Sequence, residues 1–112
     1  MFRKQRIYDS SLLYIDKAIR LFESINADQE RSTAYINKGI ALKASGRSDL
    51  AMISYNKSKE IAVAIGDSAN LAYSLLDIAS IKYEQDKLLE SVSLYEKALQ
   101  IAMNEKIDRV SF

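Results

Sequence analysis

Residues 35–58 read YINKGIALKASGRSDLAMISYNKS, and this stretch decides the fold. Gly46 can take the left-handed conformation that ends a helix, and Ser48 can cap the helix that follows. Beyond that turn, Ala51, Tyr55 and Ser58 run small, large, small at spacings of four and three, one stripe of an α-helix. Before it, Tyr35, Lys38, Gly39 and Leu42 form a second stripe. Glycine inside a helix costs about 1 kcal/mol against alanine. A close helix–helix crossing at Gly39 is the natural compensation. The stretch therefore predicts two helices joined by a short turn, which makes them antiparallel neighbours.

The same pattern recurs at a spacing of forty residues along the chain. Ser11, Ala51 and Ser91 align, as do Ile15, Tyr55 and Tyr95, then Ala18, Ser58 and Ala98, then Leu21, Ile61 and Ile101. Lysine falls at one place in all three segments, as Lys17, Lys57 and Lys97. Between them, Tyr35 aligns with Leu75, Lys38 with Ile78, Gly39 with Ala79 and Leu42 with Lys82. Gly66 and Asp67 repeat the stop-and-start signal one helix later, and Asp28 can cap a helix beginning near Gln29. The reading is all-α, with five helices near 8–25, 28–45, 48–65, 68–85 and 88–105.

Composition agrees and narrows the function. The 112 residues suit one domain; 48% are apolar and 28% charged, a globular balance. Proline is absent and glycine occurs three times, too few for a turn-rich β-fold. A formal net charge of +1 is not that of a domain built to neutralise phosphates, so no direct nucleic-acid contact is expected. Arg3, Lys4 and Arg6 form the one basic run and read as a solvated, frayed terminus, with a small anionic contact as the rival reading. No stretch reaches membrane-spanning length and residues 1–10 lack a signal-peptide core, so a soluble, cytoplasmic protein is expected. With neither histidine nor cysteine there is no imidazole base, thiol nucleophile or zinc-type ligand set. No enzyme, cofactor or metal site is expected.

The aligned positions resemble the tetratricopeptide signature, W-x2-L-G-x2-Y, then A-x3-F, then P. The best copy is Tyr35, Lys38, Gly39, Leu42, Ala51, Tyr55 and Ser58; the next is Leu75, Ile78, Ala79, Lys82, Ser91, Tyr95 and Ala98. The first helix holds only the second half, as Ser11, Ile15 and Ala18. Lys38 and Lys82 stand where large apolar residues are usual, and the closing proline is missing. The period is longer than the usual 34 or so, and looks like the branch seen in kinesin light chains, bacterial peptide-sensing regulators and modules attached to histidine kinases or DNA-binding domains. The resemblance implies a right-handed α-solenoid over the whole chain: a partial repeat at 8–25, repeats at 28–65 and 68–105, and a further helix starting, or a tail, at 106–112 with Ile107, Val110 and Phe112. About three repeats are usually needed to bury a solenoid core. A fragment of a longer protein is therefore expected, with homodimerisation through exposed end helices as the rival.

The resemblance also implies where partners bind. In such proteins the first helix of each pair lines a concave groove. Here that surface would carry Thr33, Ile36, Asn37, Ile40, Lys43 and Ala44 from one helix, and Tyr73, Leu76, Asp77, Ser80, Tyr83 and Glu84 from the next. Ile36, Ile40 and Leu76 offer apolar contact, the tyrosines amphipathic anchors, Asn37 both donor and acceptor, and the charged residues a preference at the rim. A second reading stands beside it: Ile36, Ile40 and Leu76 as core, Tyr73 and Tyr83 as ordinary surface. The lysine-rich grip of the chaperone-binding subfamily is not matched, since Ile36 and Ile40 intrude. The functional reading is a scaffold that holds a protein or peptide. The alternatives are the sensory module of a kinase or transcription regulator, and a self-association element.

Overall fold

A computed structural model describes the backbone of residues 2–110 and the side chains of residues 5–105. It is built from α1 (Phe2–Ser24), α2 (Asp28–Ala44), α3 (Ser48–Ile65), α4 (Ser68–Glu84) and α5 (Leu88–Val110), with no strand among the described residues. The three middle helices match the sequence expectation to within a residue. Both end helices are longer than expected: α1 starts at Phe2, and α5 runs unbroken to Val110. Ile107 and Val110 therefore continue α5 and begin no new helix, because no turn residue interrupts the run from Leu88. Phe112 and the side chains of Arg3 and Lys4 lie outside the described residues.

One turn design is used four times. Asn26, Gly46, Gly66 and Asp86, twenty residues apart, all adopt positive φ, at 56°, 83°, 71° and 60°. The next amide in each case reaches back five residues, Ala27 to Phe22, Arg47 to Leu42, Asp67 to Ala62 and Lys87 to Lys82, at 2.8–2.9 Å. This closes each helix with the hydrogen-bonding of a left-handed C-cap. Asn and Asp replace glycine at two turns because their short polar side chains tolerate that conformation. Asp67 caps α4 as expected, accepting from the Asn70 amide at 3.0 Å. Asp28 and Ser48 do not cap: each is the first residue of its helix, and the caps are Ala27 and Arg47 without side-chain bonds. Asp28 pairs instead with Arg31 at 3.4 Å.

Each helix packs on its neighbours in sequence, and α2 also touches α4, whereas α1, α3 and α5 do not touch one another. The chain is thus a stack two helices deep, 19 Å in its thinnest direction, with α2 and α4 as the closer-spaced inner layer. The expected crossing at Gly39 is present. A Cβ built there would lie 2.6 Å from Cδ1 and 2.8 Å from Cζ of the Tyr55 ring. Tyr55 is only 1% exposed, and with Leu12, Leu42, Ala51, Ile78 and Ile81 it forms the main core. Ala72, Leu75 and Ala98 form a second core between α4 and α5. The two lysines that depart from the repeat pattern bind neighbouring helices: Lys38 pairs with Asp16 at 2.9 Å and Lys82 with Glu90 at 3.2 Å. Both lysine side chains are more than two-thirds covered while their ammonium groups find carboxylates.

The repeat equivalence weakens toward both ends. Tyr95 is 42% exposed where Tyr55 is buried, and Leu21 is exposed where Ile61 is buried. α3 has a helix on each side, while α1 packs only on α2 and α5 only on α4.

Candidate functional site

The inner layer presents the residues expected to meet a partner, and the structure sorts them into three places. Thr33, Asn37, Ile40 and Ala44 are exposed along α2, and Tyr73 and Glu84 along α4, with Asp77 and Ser80 half-buried. Lys43 joins the two helices: its ammonium donates to Ser80 Oγ at 2.7 Å and pairs with Glu84 Oε1 at 3.1 Å. Thr33 and Asn37 also line a shallow cleft against Ile15, Ala18 and Phe22 of α1. Tyr73 and Leu76 line a groove between α4 and α5. Ile36 is not a surface residue. It is buried, as the core reading has it, while Ile40, one turn on, stays exposed. Tyr83 is exposed.

Electrostatics single out Asp77. Among the described residues nothing hydrogen-bonds to or ion-pairs with its carboxylate, although it is half-buried. Burial holds its carboxyl above the ordinary value of 3.8, with Lys43 pulling the other way. Tyr55, which sequence reading assigned to the core alone, contributes here as well. Its phenol is pushed up to about 12 by burial, then by the charges of Asp77 and Glu84.

The raised carboxyl has a consequence for stability. A group whose folded pKa exceeds its unfolded value binds protons more tightly in the native state. The burial penalty on Asp77 is therefore fully present at neutral pH, fades as pH falls through the folded pKa, and is gone below 3.8. Asp77→Asn should be at least as stable as the parent at pH 7, and its relative advantage should shrink in acid. Urea denaturation of both proteins at pH 7 and in acid checks this; a lower midpoint for the variant at pH 7 contradicts it.

A buried chain of hydroxyls behind this surface had no clear sequence signal. Ser32 Oγ donates to the Ser58 carbonyl at 3.1 Å and lies 3.0 Å from Ser58 Oγ. Ser74 Oγ lies 3.2 Å from Ser58 Oγ and 2.7 Å from the Asn70 carbonyl, to which it donates. Asn70 Nδ2 donates to Thr33 Oγ1 at 3.1 Å. These contacts fasten α2, α3 and α4 together without bulk, which small polar residues alone allow. Only Ser58 was marked by the repeat, and only as a small residue.

Among the described residues no group of three or more His, Cys, Asp or Glu is placed to hold a metal ion, and no helix is long and apolar enough to cross a membrane. A curved stack of antiparallel helix pairs with a partly polar inner face defines a helical-repeat scaffold of the α-solenoid class. A family model for the tetratricopeptide repeat matches residues 30–104, and the chain belongs to that family. Such domains are typically non-catalytic modules for protein–protein interaction. No curated protein and no solved structure gives a significant match.

Proposed function

We propose that this domain holds a peptide segment of another protein on the inner surface of α2 and α4. The observation that supports this reading most is the half-buried Asp77 carboxylate, to which nothing among the described residues hydrogen-bonds or ion-pairs, on the same inner layer as the exposed Asn37 and Ile40 of α2 and Tyr73 of α4. A carboxylate kept there at a cost in stability is a natural acceptor for a lysine, arginine or backbone N–H of a ligand. Ile40 and Tyr73 supply apolar contact beside it, and Asn37 can bond a peptide backbone. The Lys43 bridge to Ser80 and Glu84 holds the two helices at a set spacing, so little ordering is needed on binding.

The test is a selection from a random peptide library on the intact chain. Enriched peptides should carry a basic residue. Asp77→Asn should erase that preference, and Asn37→Ala combined with Ile40→Glu should weaken binding about tenfold or more at unchanged helicity. Absence of any enrichment, or enrichment indifferent to all three substitutions, would count against the inner surface.

A further inference from the structure

The groove between α4 and α5 is an open cavity of about 740 Å3 whose lining includes Tyr73, Leu76, Tyr95, Ala98 and Leu99. The internal repeat shows what belongs in it. Forty residues earlier stands the matching groove between α2 and α3, and there α4 fills it. Ile36 and Tyr55 are 8% and 1% exposed; their equivalents in the open groove, Leu76 and Tyr95, are 38% and 42% exposed. Ala62 is buried and its equivalent Ala102 is exposed. The open groove therefore has the form of a seat for one more inner-layer helix.

The chemistry of the seat has changed. α4 is held in the filled groove by four polar contacts: Asn70 to Thr33, Ser74 to Ser58, and both Ser80 and Glu84 to Lys43. At the equivalent positions stand Tyr73 and Ala98, which line the open groove, and Tyr83 further along α4. One hydroxyl partner has become a methyl group, the ammonium has become a phenol, and the small Thr33 hydroxyl has become the bulkier phenol of Tyr73. A helix carrying a Ser74-like hydroxyl would meet only the Ala98 methyl there, and a Glu84-like carboxylate would find no ammonium; a buried hydroxyl left without a partner costs about 1–3 kcal/mol. The groove thus disfavours a copy of α4 and suits an apolar helix face.

We infer that this groove is a second docking site, adjoining the inner surface at Tyr73, and that its occupant is an amphipathic helix of a partner polypeptide with an apolar docking face. The helix lies antiparallel to α5, as α4 lies to α3. A second copy of this chain is the poorer occupant. The seat calls for an inner-layer helix, and both inner helices of a copy are already enclosed, α2 between α1 and α3, α4 between α3 and α5.

The experiment uses the full chain and two labelled peptides of residues 67–86, each held helical by a lactam on its exposed face. One has the native sequence; the other carries Asn70→Leu, Ser74→Ala, Ser80→Ala and Glu84→Leu. Fluorescence anisotropy should show the substituted peptide binding about tenfold or more tightly than the native one. Leu99→Glu in the chain, at an exposed position, should lower that affinity about tenfold or more while helicity and Tm hold. Asn37→Ala with Ile40→Glu should leave it unchanged, which separates this site from the inner surface. The inference is overturned if the two peptides bind alike, if neither binds, if Leu99→Glu has no effect, or if sedimentation shows a dimer that Leu99→Glu dissolves and the peptide does not.

Discussion

Gly39→Ala should destabilise the domain by about 2 kcal/mol, although alanine is the better helix former. Two effects oppose each other. Relief of glycine's helix penalty contributes about 1 kcal/mol of stability. Against it, the added methyl would stand within 3 Å of three ring atoms of Tyr55, which is buried and walled by Leu42, Ala51 and Ile81, so it has little room to turn away. Overpacking of this kind costs about 1–3 kcal/mol, and contacts this close belong at or above the upper end. Equilibrium urea denaturation measures the sum. The partner of the clash can be identified by combination: Gly39→Ala with Tyr55→Leu should be less destabilised than the two single changes added together, because the methyl then meets a smaller neighbour. A raised midpoint for Gly39→Ala, or strict additivity in the pair, would remove the close-crossing account of this helix pair.

Ile81→Ala should be costlier still, about 3–5 kcal/mol. Ile81 is fully buried, and its core cluster draws on four helices: Leu12 from α1, Leu42 from α2, Ala51 and Tyr55 from α3, and Ile78 beside it. Removing buried methylene and methyl groups from Leu, Ile or Met costs about 2–5 kcal/mol, more where the walls cannot close on the cavity. Walls contributed by four separate helices would have to shift against one another to do so. A domain of this size has a total stability of about 5–15 kcal/mol, so much of the margin would go. Chemical denaturation of Ile81→Ala and Ile81→Val should give a graded series, with the valine change near 1 kcal/mol. A loss below 1 kcal/mol for the alanine variant would mean that the stack collapses around the gap and that its core is looser than the burial indicates.

Much of this architecture was legible beforehand because it is local. A small–large alternation at helical spacing, repeated every forty residues, is a property of the chain alone, and glycine at 46 and 66 marks two turns by backbone sterics. The turns at Asn26 and Asp86 were less visible, since these residues enter the left-handed region only where the chain requires it. The failed caps at Asp28 and Ser48 show the same limit: a capping residue type is common at a helix start, but whether it stands outside the first turn or inside it depends on where the preceding turn closes. Of the serines in the buried hydroxyl chain, Ser32 and Ser74 lie outside the repeat stripes and Ser58 is marked only as a small residue; three helices brought together give them partners.

The candidate surface divides along the same line. Ile36 and Ile40 are the same residue type on one helix, and nothing local distinguishes them; in the folded stack the first is buried and the second is exposed. Leu76 is the repeat of Ile36 and is partly exposed, since no described helix lies beyond it. The amino-acid order alone determined that this chain makes antiparallel helix pairs of the tetratricopeptide kind, because periodicity and turn chemistry act within a few residues. Which faces of those helices remain open to a partner was decided only by the stack, because burial is a relation between helices and not a property of any one of them.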